Sequence, residues 1–218
     1  MKKNENHRLV KIIFRKSFTD SLSLLRVERG DLIFQPGQYF FLGLPLSDEM
    51  RPYSVFSGIE DPWIDFVIQK IQQGGVAEGL TQVQPGQWLK IEGPKGFFTL
   101  PPSYHSEKLV VMIATGTGIA PFHSFIRSYP ELNYRLLYGA RKNDELLGLE
   151  TFDMERIITV LSRQPDWKIQ GRVTDHLERI IFPEALYMVC GNSEMVSEVT
   201  ALLHQKIGKN TKVRTEYF

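Results

Sequence analysis

The hydrophobic pattern changes period near the middle of the chain, so one kind of sheet cannot serve both halves. Before about residue 100, apolar and polar residues alternate. Val10, Ile12 and Phe14 alternate with Lys11 and Arg15, Leu22 and Leu24 with Ser21 and Ser23, and Ile64, Phe66 and Ile68 with Asp65 and Gln69. Period two with one polar side predicts antiparallel sheet with one wet face. Pro36-Gly37, Asp61-Pro62, Gly74-Gly75, Pro85-Gly86 and Gly93-Pro94 punctuate these runs as turns, and several short strands at such spacing predict a small barrel. The second half opens with an unbroken apolar run at 109–114, which suits a strand covered on both faces. A glycine turn and a helix over about 118–128 follow. Strands are expected at 136–138, 157–161 and 186–190, and then a helix carrying Val196, Val199, Leu203 and Ile207. Strand–helix alternation predicts a doubly wound parallel sheet. Pro101-Pro102-Ser103 separates the two patterns. The expected fold is two-domain: an antiparallel β-barrel domain over 1–101, followed by an α/β doubly wound parallel-sheet domain over 102–218.

With 218 residues, 42% of them hydrophobic and 23% charged, the chain can bury a sizeable core and has an ordinary globular composition. No apolar run approaches the roughly 18 residues of a membrane span. The charged start at residues 1–6 has no apolar stretch behind it, so no secretory signal is expected. A single cysteine, Cys190, excludes an internal disulfide and an all-cysteine iron–sulfur site. A reducing cytoplasm, no metal, no nucleic-acid partner, no membrane contact and a monomer are the corresponding expectations. Net charge is +1, but basic residues crowd both ends: Lys2, Lys3, Arg8, Lys11, Arg15 and Lys16, then Lys206, Lys209, Lys212 and Arg214. If the ends meet, they form a basic face for an acidic partner; otherwise they are solvated strand and helix faces.

Five segments carry chemistry. Arg51-Pro52-Tyr53-Ser54 offers a guanidinium for a phosphate, a ring for stacking on a flat heterocycle and a hydroxyl for a ring nitrogen. Gly74, Gly75, Val76 and Ala77 open a short helix whose free N–H groups suit a diphosphate, or form a plain strand-to-helix turn. Thr115-Gly116-Thr117-Gly118 follows the buried strand and opens the next helix, with Pro121 fitting its first turn. It is no P-loop, because no Gly-Lys-Ser/Thr follows, and it lacks the third glycine of the usual dinucleotide fingerprint. Cys190 and Gly191, with Met195, end a strand and begin a helix capped by Asn192 or Ser193. A buried cysteine is core filler or, at a parallel strand's carboxyl end, points to where ligands bind. Glu216-Tyr217-Phe218 closes the chain with aromatics.

Taken in order, these segments resemble the ferredoxin–NADP⁺ reductase family, particularly its compact bacterial members, from about residue 8 to the end. The resemblance implies an FAD-binding barrel, an NADP(H)-binding α/β domain, and hydride transfer from NADPH through FAD to one-electron carriers. It implies that Tyr53 stacks on the isoalloxazine, Ser54 reaches flavin N5, and Arg51 holds the phosphates with Gly74, Gly75 and Val76. Pro52, Val67 and Ile68 belong to the implied flavin site. The family usually has Ser or Thr at Ala77, so one hydroxyl contact is missing. Thr115, Gly116, Thr117, Gly118, Gly191 and Met195 are the implied dinucleotide contacts. Cys190 is expected beside the hydride path, and Phe218 against the flavin with Glu216 nearby; Tyr217 rivals Phe218. Ser162, Arg163 and Arg172 are expected on the 2′-phosphate, and Arg141 on the pyrophosphate. No acidic residue lies between Thr159 and Pro165, where an NAD site more often shows one. The expected partner is an acidic electron carrier, ferredoxin or flavodoxin. A free-flavin reductase, an oxygenase reductase component and a non-catalytic nucleotide- or flavin-binding module are the alternatives.

Overall fold

The computed structural model describes residues 7–70 and 75–217. It divides into two compact units, one ending at Thr99 and one beginning at Leu100.

The first unit contains β1 (Arg8–Ser17), β2 (Leu22–Glu28), β3 (Tyr39–Gly43), β4 (Met50–Ser54), β5 (Trp63–Gln69), α1 (Gly75–Gln82) and β6 (Trp88–Lys95). The six strands form one sheet in the order β4-β3-β6-β1-β2-β5, with every pairing antiparallel. A bridge between Val55, just past β4, and Phe66 of β5 joins the two ends of that order, as a barrel requires. Ile12, Leu25, Phe40, Leu42, Ile64, Phe66 and Ile68 fill the interior, and Val76 and Leu80 anchor α1 to it.

The expected wet face survives on β1, where Val10 and Ile12 point inward and Leu9 and Lys11 outward. A register shift between Ile12 and Phe14 then breaks the alternation and leaves Phe14 exposed. Strands β2 and β5 are covered on both sides, so Ser23 and Asp65 are buried where polar exposure was expected. Asp65 tolerates this because Arg26, opposite it in register, forks onto the carboxylate from Nε at 2.8 Å and Nη2 at 2.9 Å. The guanidinium also lies 3.8 Å from the Trp63 ring centroid. Burial still holds the Asp65 carboxyl above its ordinary pKa. Arg26→Leu strands that carboxyl and is expected to cost about 3 kcal/mol of unfolding free energy. Urea titration of the variant checks this, and an unchanged midpoint would show the pair to be dispensable.

The second unit contains β7 (Val110–Thr115), α2 (Ala120–Ser128), β8 (Tyr134–Ala140), β9 (Ile157–Leu161), β10 (Leu186–Gly191), α3 (Ser193–Ile207) and β11 (Val213–Tyr217). Its sheet runs β11-β10-β7-β8-β9 and is parallel throughout. The chain starts at the centre, moves out through β8 to β9, then returns to the other side for β10 and β11. The strand order therefore reverses between β7 and β10, the point where doubly wound sheets open a crevice for ligands. The helix expected over 118–128 begins instead as a tight 3₁₀ turn, Gly116–Ile119, before α2 takes over with Pro121 in its first turn. Among the described residues, every helical segment between β8 and β10 is 3₁₀, the longest being Val173–Ile180. Asn192 is the cap of α3, its Oδ1 accepting the Met195 N–H at 2.9 Å. Among the described residues, no helix is long and apolar enough to cross a membrane.

Candidate active site

In the barrel unit, β4 carries the Arg51–Ser54 segment along β3, with Arg51 opposite Leu42, Tyr53 opposite Phe40 and Ser54 opposite Tyr39. β4 ends the strand order, which accommodates Pro52 and its missing N–H. Tyr53 packs on the barrel core, and burial pushes its phenol up to about 12 even though Arg51 pulls the other way. The ring is therefore neutral at any working pH, as stacking on a heterocycle requires. Arg51 is exposed and makes an ion pair at 2.7 Å with Glu49. The other oxygen of Glu49 lies 3.6 Å from where a Cβ on Gly75 would stand. Gly75 has φ +76°, a conformation that favours glycine, and it begins α1. The first N–H groups of a helix lack intrahelical partners. Arg51 and the start of α1 thus flank one position, and the Glu49 carboxylate occupies it. Ala77 lies half-buried on α1, and Gly74 is outside the described residues.

Two expected flavin residues have buried side chains. Ile68 belongs to the barrel core and Val67 is buried in the same strand. Their side chains serve packing, which leaves only main-chain groups for a ligand.

In the second unit the carboxyl ends of β7 and β10 meet. A Cβ on Gly191 would fall 2.2 Å from Thr115 Oγ1 and 2.6 Å from Met195 Cε. Thr115 Oγ1 is buried and has no hydrogen-bond partner among the described residues. A buried hydroxyl left unsatisfied is costly, so a bound polar group is its natural complement. Gly116, at φ +54°, makes the turn. Gly118 has a reason different from the one expected of it. A Cβ there would lie 2.2 Å from the Cys190 carbonyl oxygen, so glycine is required for main-chain packing between the turn and β10. Thr117 sits half-buried between the two glycines.

Cys190 is fully buried, and burial together with the charge of Glu216 raises its thiol well above the ordinary range. It is a neutral thiol and neither a nucleophile nor an acid near neutral pH. Glu216 on β11 stands directly beside it in register. Tyr217 is 67% exposed and available for stacking, while Phe218 lies outside the described residues.

Pairing of β8 and β9 continues past the strand ends. The Ser162 N–H donates to Ala140 O at 3.0 Å, and the Arg163 N–H to Arg141 O at 2.9 Å. Exposed Arg141, Ser162 and Arg163 therefore form one cluster beyond the sheet. The Gly171 N–H donates to Leu161 O at 3.1 Å, so Arg172 begins from backbone alongside the same strand end.

Sequence reasoning missed Tyr138. Its buried hydroxyl donates toward Gly116 O at 3.1 Å and Glu145 O at 3.2 Å and accepts from the Leu147 N–H at 3.3 Å. It fastens the glycine turn to the segment after β8. Its neighbours in the sequence, apolar on one side and small on the other, gave no sign of this.

Two family models divide the chain. An oxidoreductase FAD-binding domain matches residues 15–100, and an oxidoreductase NAD-binding domain matches residues 112–201. Ferredoxin–NADP reductase B of Sorangium cellulosum is 28% identical, with 92% of this chain and 91% of that protein aligned. The chain belongs to the ferredoxin–NADP⁺ reductase family. It is an oxidoreductase that binds FAD and a nicotinamide dinucleotide. A ferredoxin NADP⁺ reductase from Neisseria gonorrhoeae with bound FAD and NADP shares the fold at TM-score 0.85 and 23% identity, covering 97% of this chain and 98% of that one. The propane 2-monooxygenase reductase component of Mycolicibacterium smegmatis is 34% identical over 71% of this chain, which spans only 47% of that longer protein. The residues present fit both cofactors. An anionic position lies between Arg51 and α1, and an unsatisfied hydroxyl lies at the crevice between β7 and β10.

Two outcomes test this geometry. Tyr138→Phe leaves the Leu147 N–H without its buried acceptor and is expected to cost about 1–3 kcal/mol, read by denaturant unfolding. Tyr53 keeps its proton in the fold to about 12 but loses it near 10 when unfolded. The stability tied to that proton is therefore complete below pH 10 and is lost as pH rises toward 12, by about 2 kcal/mol. Tyr53→Phe should remove that share of the alkaline loss, and an identical pH profile in the variant would refute the assignment.

Proposed function

We propose that this enzyme moves electrons between NADPH and a ferredoxin- or flavodoxin-type carrier, with FAD as the intermediary. The observation that carries the NADPH half is the stitched cluster of Arg141, Ser162 and Arg163 past the ends of β8 and β9, with no acidic residue between Thr159 and Pro165. A 2′-phosphate needs cationic and hydroxyl partners at this place in a doubly wound sheet, and arginine supplies a fork suited to it. Arg172 is assigned to the same phosphate. The carrier half is supported by relatives named as ferredoxin–NADP and flavodoxin/ferredoxin–NADP reductases, the latter from Escherichia coli at 29% identity over 84% of each chain. A reductase role in an oxygenase system is the second reading, favoured by the 34% identity to the propane 2-monooxygenase component.

Bound FAD would take a hydride from the reduced nicotinamide and release its electrons singly. The protein's own groups position and shield. Arg51 and the first N–H groups of α1 hold the flavin diphosphate, and Tyr53 offers a neutral face to the ring. Ser54 is assigned to flavin N5. In the second domain the side-chain-free Gly191 lets β10 close onto Thr115, whose unpaired hydroxyl is assigned to the nicotinamide nucleotide, with Met195 packed beside it. Cys190, kept neutral by burial, lines this end of the sheet and contributes no charge to the hydride path. Glu216 carries the charge at that strand end. Alignment of the reacting atoms accounts for most of the rate in such a site.

Anaerobic bleaching of the flavin spectrum tests this function. NADPH is expected to bleach it rapidly and NADH slowly. Arg163→Ala should raise KM for NADPH about tenfold to a hundredfold, the loss of one charge-assisted contact, with little change for NADH. Equal bleaching by both nucleotides in the parent enzyme would remove the NADPH assignment.

A further inference from the structure

Glu49 has no part in the family motif, yet it occupies the phosphate position of the barrel unit. Its Oε1 accepts from Arg51 Nε and pairs with Arg51 Nη2, each at 2.7 Å. Its Oε2 faces the first residue of α1, 3.6 Å from the Cβ position of Gly75, and its Oε1 lies 4.0 Å from the same point. The carboxylate therefore sits where Arg51 and a helix N-terminus both favour negative charge. Its reach is set locally. The Glu49 N–H donates to Ser47 Oγ at 3.1 Å, and the Lys90 ammonium donates to Ser47 O at 3.0 Å, which fixes the turn between β3 and β4 against β6. The same charge is felt at Tyr53, whose phenol it helps to hold neutral.

We propose that Glu49 is an internal surrogate for the flavin diphosphate: it fills the phosphate position in the FAD-free protein and must be displaced for FAD to bind. The inference rests on the FAD-binding assignment and does not depend on the identity of the nucleotide or electron carrier. Two consequences follow from charge alone. The FAD-free protein keeps Arg51 and the start of α1 neutralised by its own carboxylate. FAD must exchange one anion for another, which weakens its hold, and Ala77 supplies no hydroxyl to compensate. Both tend toward an enzyme that exchanges its flavin readily.

The test is equilibrium binding of FAD and of riboflavin to the FAD-free protein, followed by flavin fluorescence. Riboflavin carries the ring without phosphates, so it reports the Tyr53 face alone. Glu49→Gln is expected to tighten FAD about fivefold, the effect of removing one unit charge near the phosphates at a partly exposed site, and to leave riboflavin unchanged. Glu49→Ala should do the same, because the effect comes from losing an anion and not from gaining an amide. The thermal midpoint of the FAD-free variants should fall or stay level while the rise on saturation with FAD grows. Weaker FAD binding in both variants would overturn the proposal and make Glu49 a residue that orients Arg51 for the phosphate. Equal tightening of FAD and riboflavin would also overturn it, by placing the effect on the ring. Absence of FAD binding in parent and variants alike would instead refute the cofactor assignment itself.

Discussion

The second domain depends on one close approach of main chains. The glycine turn after β7 lies so near β10 that the Cys190 carbonyl occupies the space a Cβ of Gly118 would need. No side chain could stand there without pushing the turn off β10. That contact seats the turn against the end of β10, beside β7, with which β10 pairs in the sheet. Gly191 lets the end of β10 pack against the Thr115 hydroxyl, and Tyr138 holds the turn from behind through its own hydroxyl. The dinucleotide motif is therefore as much a packing motif as a binding one.

The barrel solves a different problem, which is charge. Asp65 is buried by strands on both sides and survives through the fork of Arg26. Arg51 and the first turn of α1 present positive potential at the surface, and Glu49 balances it. In the first case a cation neutralises an anion that the fold needs. In the second an anion neutralises a cation held at the surface. Exposure separates the two: the Asp65 side chain is 8% exposed and the Glu49 side chain 41%. A buried pair cannot open without a large desolvation penalty, whereas an exposed one can be replaced by another anion.

Much of this was legible from residue order. The change from period two to unbroken apolar runs separated the antiparallel sheet from the parallel one, because the first has one wet face and the second is covered twice. The expectation failed on β2 and β5, where closure of the barrel buries both faces, and closure is a property of distant strands. The same closure buries the side chains of Val67 and Ile68 and leaves their main chain as the part a ligand can meet. Cys190 was rightly placed at a strand end, but its environment depends on Ala114 and Glu216 in neighbouring strands, which sequence spacing does not specify.

The sequence by itself determined the two domain types, the order of the phosphate- and nucleotide-binding segments, and the family. These are written in local periodicity and in short runs such as Arg51–Ser54 and Thr115–Gly118, whose chemistry depends on adjacent residues. Only the tertiary structure decided that Gly118 serves packing, that Tyr138 braces the turn, that the Cys190 thiol stays neutral, and that Glu49 stands between Arg51 and the start of α1. Each of these rests on atoms brought within a few ångströms from separate segments of the chain. Steric exclusion, desolvation and Coulomb attraction act through space, so no reading along the chain reaches them.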